Sequence, residues 1–192
     1  DEKLEENLEA FDSGPGNCMI DEWVRKNSKN NFDKNGLIAK SGKIDQLILN
    51  QVIDNFELSS FDKSLDIKDF DISFARGLSL EDGCATITNF TAYLIAKGIE
   101  HANGNNSDLI KFLVCGGGRK NDFLINSIKN YLSHKKNISL NSIDDYSLNG
   151  DYIESQAFGY LAIRSFLNLP ISYPKTTGCV TPTVGGKLAQ SF

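Results

Sequence analysis

Apolar positions recur at helical spacing through four stretches of this chain. Met19, Ile20, Trp23 and Val24 mark the first, and Ile44, Leu47, Ile48, Val52, Ile53 and Phe56 the second. The longest runs over residues 80–100, with Ala85, Ile87, Phe90, Leu94 and Ile95 on its apolar side. Glu81 and Asp82 open it, where the helix macrodipole favours negative charge. Phe123, Leu124, Ile128 and Leu132 mark a fourth helix over residues 121–132, and residues 151–169 predict a fifth, stopped by Pro170. A further helix is expected over 69–78, and residues 1–7 read as a charged, frayed or helical lead-in.

Three segments read as strands. Leu109–Cys115 is apolar except for Lys111, the pattern of a parallel strand buried on both faces. Residues 137–140 and the alternating Leu8–Phe11 read as short strands. Residues 25–43 read as mostly loop or short helix, residues 57–68 as a polar connection, and Gly/Asn-rich turns separate the rest. Strands alternating with helices predict an α/β fold, here a mixed sheet flanked by helices.

Charge and cysteine usage narrow the function classes. Lys and Arg number 20 and Asp and Glu 25, a formal net charge of −5, so bulk charge draws the chain to neither nucleic acid nor an anionic membrane. No run of about 18 apolar residues exists to cross a bilayer. The four cysteines, at 18, 84, 115 and 179, form no CxxC pair and argue against zinc. Cys84, Cys115 and Cys179 lie among apolar or small residues and are expected to be buried free thiols of a reducing, cytoplasmic compartment.

Two loops carry candidate chemistry. In Asp12-Ser13-Gly14-Pro15-Gly16-Asn17 an acidic residue precedes a Gly-rich turn into a helix. Such glycines let backbone approach a phosphate, and Asp12 could serve there as a base or merely cap the helix. In Val114-Cys115-Gly116-Gly117-Gly118-Arg119-Lys120-Asn121 a strand runs into three glycines and then a helix. That is a side-chain-free shelf suited to a planar base or ribose. Residues 36–43 miss the phosphate-loop spacing, and Gly116–Gly118 lack the last glycine of a dinucleotide fingerprint. Glu154, early in the last long helix, shares a face with Asp151, which by itself is favourable charge at a helix start. His101 and His134 read as structural or exposed.

Six segments in this order resemble the C-terminal half of the anhydro-N-acetylmuramic acid kinase family, within the superfamily of actin, hexokinase and the heat-shock chaperones. They are Phe11–Asn17, Asp62–Asp66, Asp82 with Ala85-Thr86, Val114–Asn121, Glu154–Phe158 and Thr176-Thr177-Gly178. Where relatives carry prolines before the second segment, this chain has Ser59-Ser60-Phe61.

The resemblance implies an RNase H-like, actin-like ATPase lobe, residues 1–192 forming the second lobe of a two-lobed sugar kinase. It implies ATP and Mg2+ as cofactors, with magnesium ligands unassigned. The implied reaction is ATP-dependent hydrolytic phosphorylation of 1,6-anhydro-N-acetylmuramic acid to N-acetylmuramic acid 6-phosphate in peptidoglycan recycling. Asp12 would be the catalytic base and Glu154 a carboxylate at the sugar. Gly14, Gly16 and Asn17 would approach the phosphates, and Gly116, Gly117, Gly118 and Asn121 would bed the nucleoside. The chain opens on Asp1 rather than Met and lacks the family's first phosphate loop. It is therefore expected to be a piece of a longer protein, inactive alone, with the N-terminal lobe as partner; a homodimer stays open. The alternative is a non-catalytic nucleotide- or partner-binding remnant of the same fold.

Overall fold

The computed structural model describes residues 8–56, 61, 64–187 and 189. The lead-in at 1–7 and the Asp62-Lys63 pair lie outside them. Two compact units are present. One is Asp12–Gly150; the other combines the described residues up to Phe11 with those from Asp151 onward.

The larger unit is built around one helix. In chain order it contains α1 (Cys18–Asn27), α2 (Leu37–Ser41), α3 (Gln46–Asn55), α4 (Leu80–Asn103), β1 (Ile110–Val114), α5 (Asp122–Tyr131) and β2 (Ile138–Ser142). Ser79 caps α4 by accepting from Asp82 N, and Gly104 closes it with bonds to the Glu100 and His101 carbonyls. More than half of α4 is buried, so it is a spine with packing on two sides. On one side Phe90, Ile87 and Leu94 pack with Ile20, Trp23, Val24 and Leu49. On the other, Ala92, Ala96 and Ile99 pack with Leu124, Ile128 and Leu132 of α5 and with Phe112, Ile138 and Leu140 of the strands. Phe90 meets Phe56 and Phe74 edge-on, with ring centroids 5.5 and 5.7 Å apart.

Polar side chains fix how the short helices dock. Asp82 Oδ1 accepts from Lys43 N at 2.8 Å, and Thr86 Oγ1 accepts from Asp45 N at 3.0 Å. The D-x-x-A-T segment thus ties the entry of α3 to the start of α4. Trp23 Nε1 donates to the Leu80 carbonyl at 2.9 Å.

β1 and β2 pair in parallel, Ile110 opposite Ile138 through Val114 opposite Ser142, with α5 as the crossover. Four expectations change. The sheet among the described residues is a two-stranded parallel one, not a mixed one. β1 is not buried on both faces: burial alternates along it, and Leu113 is 44% exposed. Its inward residues reach the α4–α5 core, while Lys111 and Leu113 face away from it. Leu8–Phe11 forms no strand; four alternating residues gain no ladder, and one backbone bond, Ala10 N to the Lys175 carbonyl, holds the segment. The helix expected over 69–78 is replaced by two 3-10 turns, Ile67–Asp69 and Ile72–Ala75; Asp71 caps the second and Ser79 already starts α4.

The smaller unit holds α6 (Ile153–Phe166) and α7 (Pro174–Thr177), plus one antiparallel bridge between Ser172 and Thr183. Arg164 organises its turn, donating from Nε to the Pro170 carbonyl and from Nη2 to Tyr173 Oη, both at 2.7 Å. No described helix is long and apolar enough to cross a membrane.

Candidate functional site

The loop before α1 and the glycine run after β1 meet. Gly16 (φ +56°) and Gly116 (φ +73°) adopt left-handed backbone that a side chain would strain, so each glycine makes a turn no other residue makes cheaply. Asn17 opens α1 without capping it through its side chain. Its carboxamide instead lies against the glycine run: a methyl built on Gly118 would stand 3.6 Å from both Asn17 Nδ2 and Oδ1, and one on Gly117 3.8 Å from Nδ2. Gly14 sits on Leu94 of α4. Gly117–Lys120 continue as a 3-10 turn into α5.

Asp12 does not cap α1. Its Oδ2 accepts from Ser64 Oγ at 3.0 Å and from Leu65 N at 2.9 Å. The contact joins the first and second motif segments, although they lie far apart in sequence. The carboxyl is exposed to solvent. Asn121 is 5% exposed, and its Oδ1 accepts from Leu124 N at 3.0 Å, so its carboxamide oxygen caps α5.

Beside Asn17 and Gly117 opens a cavity of about 400 Å³, whose walls include Asp21, Asp33, Lys34 and Asn121. That volume is in the range of small-ligand pockets. Burial pushes the Asp21 carboxyl above the usual carboxylate range, with Asp33 adding to the shift and Arg25 opposing it. Asp33, 5% exposed, accepts from Ile38 N at 2.8 Å, Ala39 N at 3.1 Å and the Cys84 thiol at 3.5 Å. The sequence reading passed over Asp33, although an acidic residue ahead of a short helix is an ordinary cap signal. A second cavity, about 190 Å³, lies at the carboxyl ends of β1 and β2 between Val114, Ile125, Leu140 and Arg119.

The structure therefore gathers Asp12, Gly14, Gly16, Asn17, Gly116, Gly117, Gly118 and Asn121 in one unit. Glu154 belongs to the other, exposed in the first turn of α6. All four cysteines are free, and only Cys84 is buried; Cys115 is exposed at the end of β1, and Cys18 and Cys179 are half-buried. Small neighbours at Cys115 and Cys179 reflect turns rather than a core. His134 Nε2 stands 3.1 Å from Glu100 Oε1, and His101 stacks on Phe61. Among the described residues no three His, Cys, Asp or Glu side chains gather as a metal site.

Comparison with known proteins gives the same family as the resemblance. Residues 3–190 match the sequence model of the anhydro-N-acetylmuramic acid kinase family. A protein of that name from Pelagibacter ubique is 49% identical over 99% of this chain and 51% of its own length. Counterparts of the same name from Zymomonas mobilis and Caulobacter vibrioides are each 38% identical, over 96% and 95% of this chain and 49% and 47% of their own lengths. The chain spans about half the length of these curated relatives. With residues 3–190 matched by the family model and relatives aligned over almost its whole length, the chain belongs to the anhydro-N-acetylmuramic acid kinase family.

Proposed function

We propose that this chain is the C-terminal, nucleotide-gripping half of a cytoplasmic kinase of 1,6-anhydro-N-acetylmuramic acid. The observation that carries the reading is Asn17 seated on Gly117–Gly118, which sets the Asp12 loop beside the glycine shelf. Backbone N–H groups at such turns favour anionic oxygens, and phosphoryl transfer asks mainly for positioning and charge stabilisation.

Gly14, Gly16 and Asn17 would receive the phosphates of ATP, and Gly116–Gly118 the nucleoside. Asn121 would act by fixing the start of α5, since its oxygen is engaged there. Mg2+ would travel with the phosphates and neutralise their charge, as it commonly does with few protein ligands. Asp12 would take the proton from water as the water oxygen bonds to C1 of the sugar. The C1–O6 bond breaks, O6 takes the γ-phosphoryl group, and ADP leaves. Glu154 is assigned to the sugar on its motif alone. The RNase H-like lobe is the fold we infer for the complete half.

The test has two arms. The chain alone should bind MgADP yet give no sugar phosphate from ATP and 1,6-anhydro-N-acetylmuramic acid. Fused behind the N-terminal half of a family relative, it should turn over. A fusion that folds and binds nucleotide without turnover favours the non-catalytic alternative. Robust turnover by the chain alone would refute the half-enzyme reading.

A further inference from the structure

A closed ring of hydrogen bonds surrounds the first glycine of the shelf. Gly116 N donates to the Gly150 carbonyl at 3.0 Å. Gly150 N donates to Asp144 Oδ1 at 2.8 Å. Asp144 Oδ2 accepts from Arg119 Nε at 2.7 Å, and Arg119 Nη1 returns to the Gly116 carbonyl at 2.9 Å. The Arg119 side chain is 5% exposed, and Gly150 is shaped to admit it: a methyl there would stand 2.7 Å from Cδ and 2.8 Å from Cζ.

We propose that Arg119 and Asp144 are positioning residues, which hold both peptide groups of Gly116 and so aim the glycine shelf at its nucleotide. This rests on the nucleotide reading given above. The ring grips both sides of Gly116, held at a φ of +73°, where the lack of a side chain leaves the backbone free to turn. A guanidinium suits the task because its planar fork donates in two fixed directions at once, which an ammonium cannot reproduce. Asp144 joins the end of the β2 segment to the end of β1. Its hydrogen bond to Arg119 holds its carboxyl below the usual carboxylate range, so the pair is charged at neutral pH. Neither side chain needs to touch the ligand. A turn left to swivel would present its N–H groups in many directions, and displacements of about 1 Å at such sites can cost on the order of 10²-fold.

The experiment uses the whole 192-residue chain, isotopically labelled, as the unaltered form, Arg119→Lys, Asp144→Asn and the double variant. Amide exchange at Gly116 is read without ligand, then MgADP is titrated while melting temperature is followed. Each single variant should speed Gly116 exchange about tenfold or more and weaken MgADP about 10–100-fold, with no added loss in the double variant. A merely structural pair would lower the melting temperature and leave affinity alone. Variants that keep the unaltered affinity within about twofold overturn the clamp while the nucleotide reading stands. Additive losses overturn it too, since they would mean separate contacts. An unaltered chain that binds no MgADP overturns the nucleotide reading and the purpose assigned to the ring. Asp144→Asn, at a half-exposed position, keeps the test decisive should Arg119→Lys unfold.

Discussion

Replacing Asp33 by alanine should cost this protein about 3 kcal/mol of folding stability. The carboxylate accepts from two backbone N–H groups, Ile38 at 2.8 Å and Ala39 at 3.1 Å, and from the Cys84 thiol at 3.5 Å. Ala39 is fully buried, and an orphaned buried N–H costs about 1–3 kcal/mol. Ile38 is half-buried and loses a charge-assisted bond, about 1–2 kcal/mol more. The thiol is a weak donor and adds little. Relief from burying a carboxylate returns part of the sum. For a chain of this size, about 3 kcal/mol lowers the melting temperature by roughly 6–12 °C. Asp33→Asn keeps one accepting oxygen and should lose about half as much. Urea unfolding followed through the single tryptophan, Trp23, reports on the same core cluster. A loss below about 1 kcal/mol in Asp33→Ala would refute the assignment of Asp33 as the acceptor that seats α2.

In the fused enzyme, Asp12→Asn should lower kcat about 10²–10⁴-fold, with KM and folding nearly kept, because it removes the proton acceptor and retains an oxygen for Ser64 and Leu65; near-normal kcat would strike Asp12 from the reaction. Thiol labelling of the folded chain should modify exposed Cys115 and spare Cys84, whose thiol is pushed up by burial and by the nearby Asp33 carboxylate. The same shift makes stability fall as pH rises above about 8.5, by up to about 1.4 kcal/mol per unit, because the unfolded thiol ionises first. Cys84→Ala should flatten that slope, and an unchanged slope would contradict it.

The long spine helix was legible because its signals are local: an apolar side at helical spacing and two acids, Glu81 and Asp82, in its first turn. The parallel pairing of β1 was legible from its apolar run, but its burial was not. That depends on which elements cover each face, and the run looks alike either way. Leu8–Phe11 misled because period-two spacing describes a face without supplying a hydrogen-bonding neighbour. At the site, glycines marked both loops, and Asp12 the first of them, before any contact was known. That Asp12 is held by Ser64 and Leu65 rather than capping α1 was not legible, since the separation along the chain hides the partners. Arg119 and Asp144 carried no mark at all. A lone arginine after a glycine run and an acid in a polar turn pair only once the strands are in register.

The parallel pair has a consequence for the solution behaviour of the chain. Among the described residues each strand has a single neighbour, so each has one edge without a ladder partner. An unpaired edge is a template that another extended segment can extend. Lys111, exposed within β1, acts as a gatekeeper because docking a second copy there would crowd ammonium groups together. Self-association through this edge would therefore grow with protein concentration and with salt, which screens that repulsion.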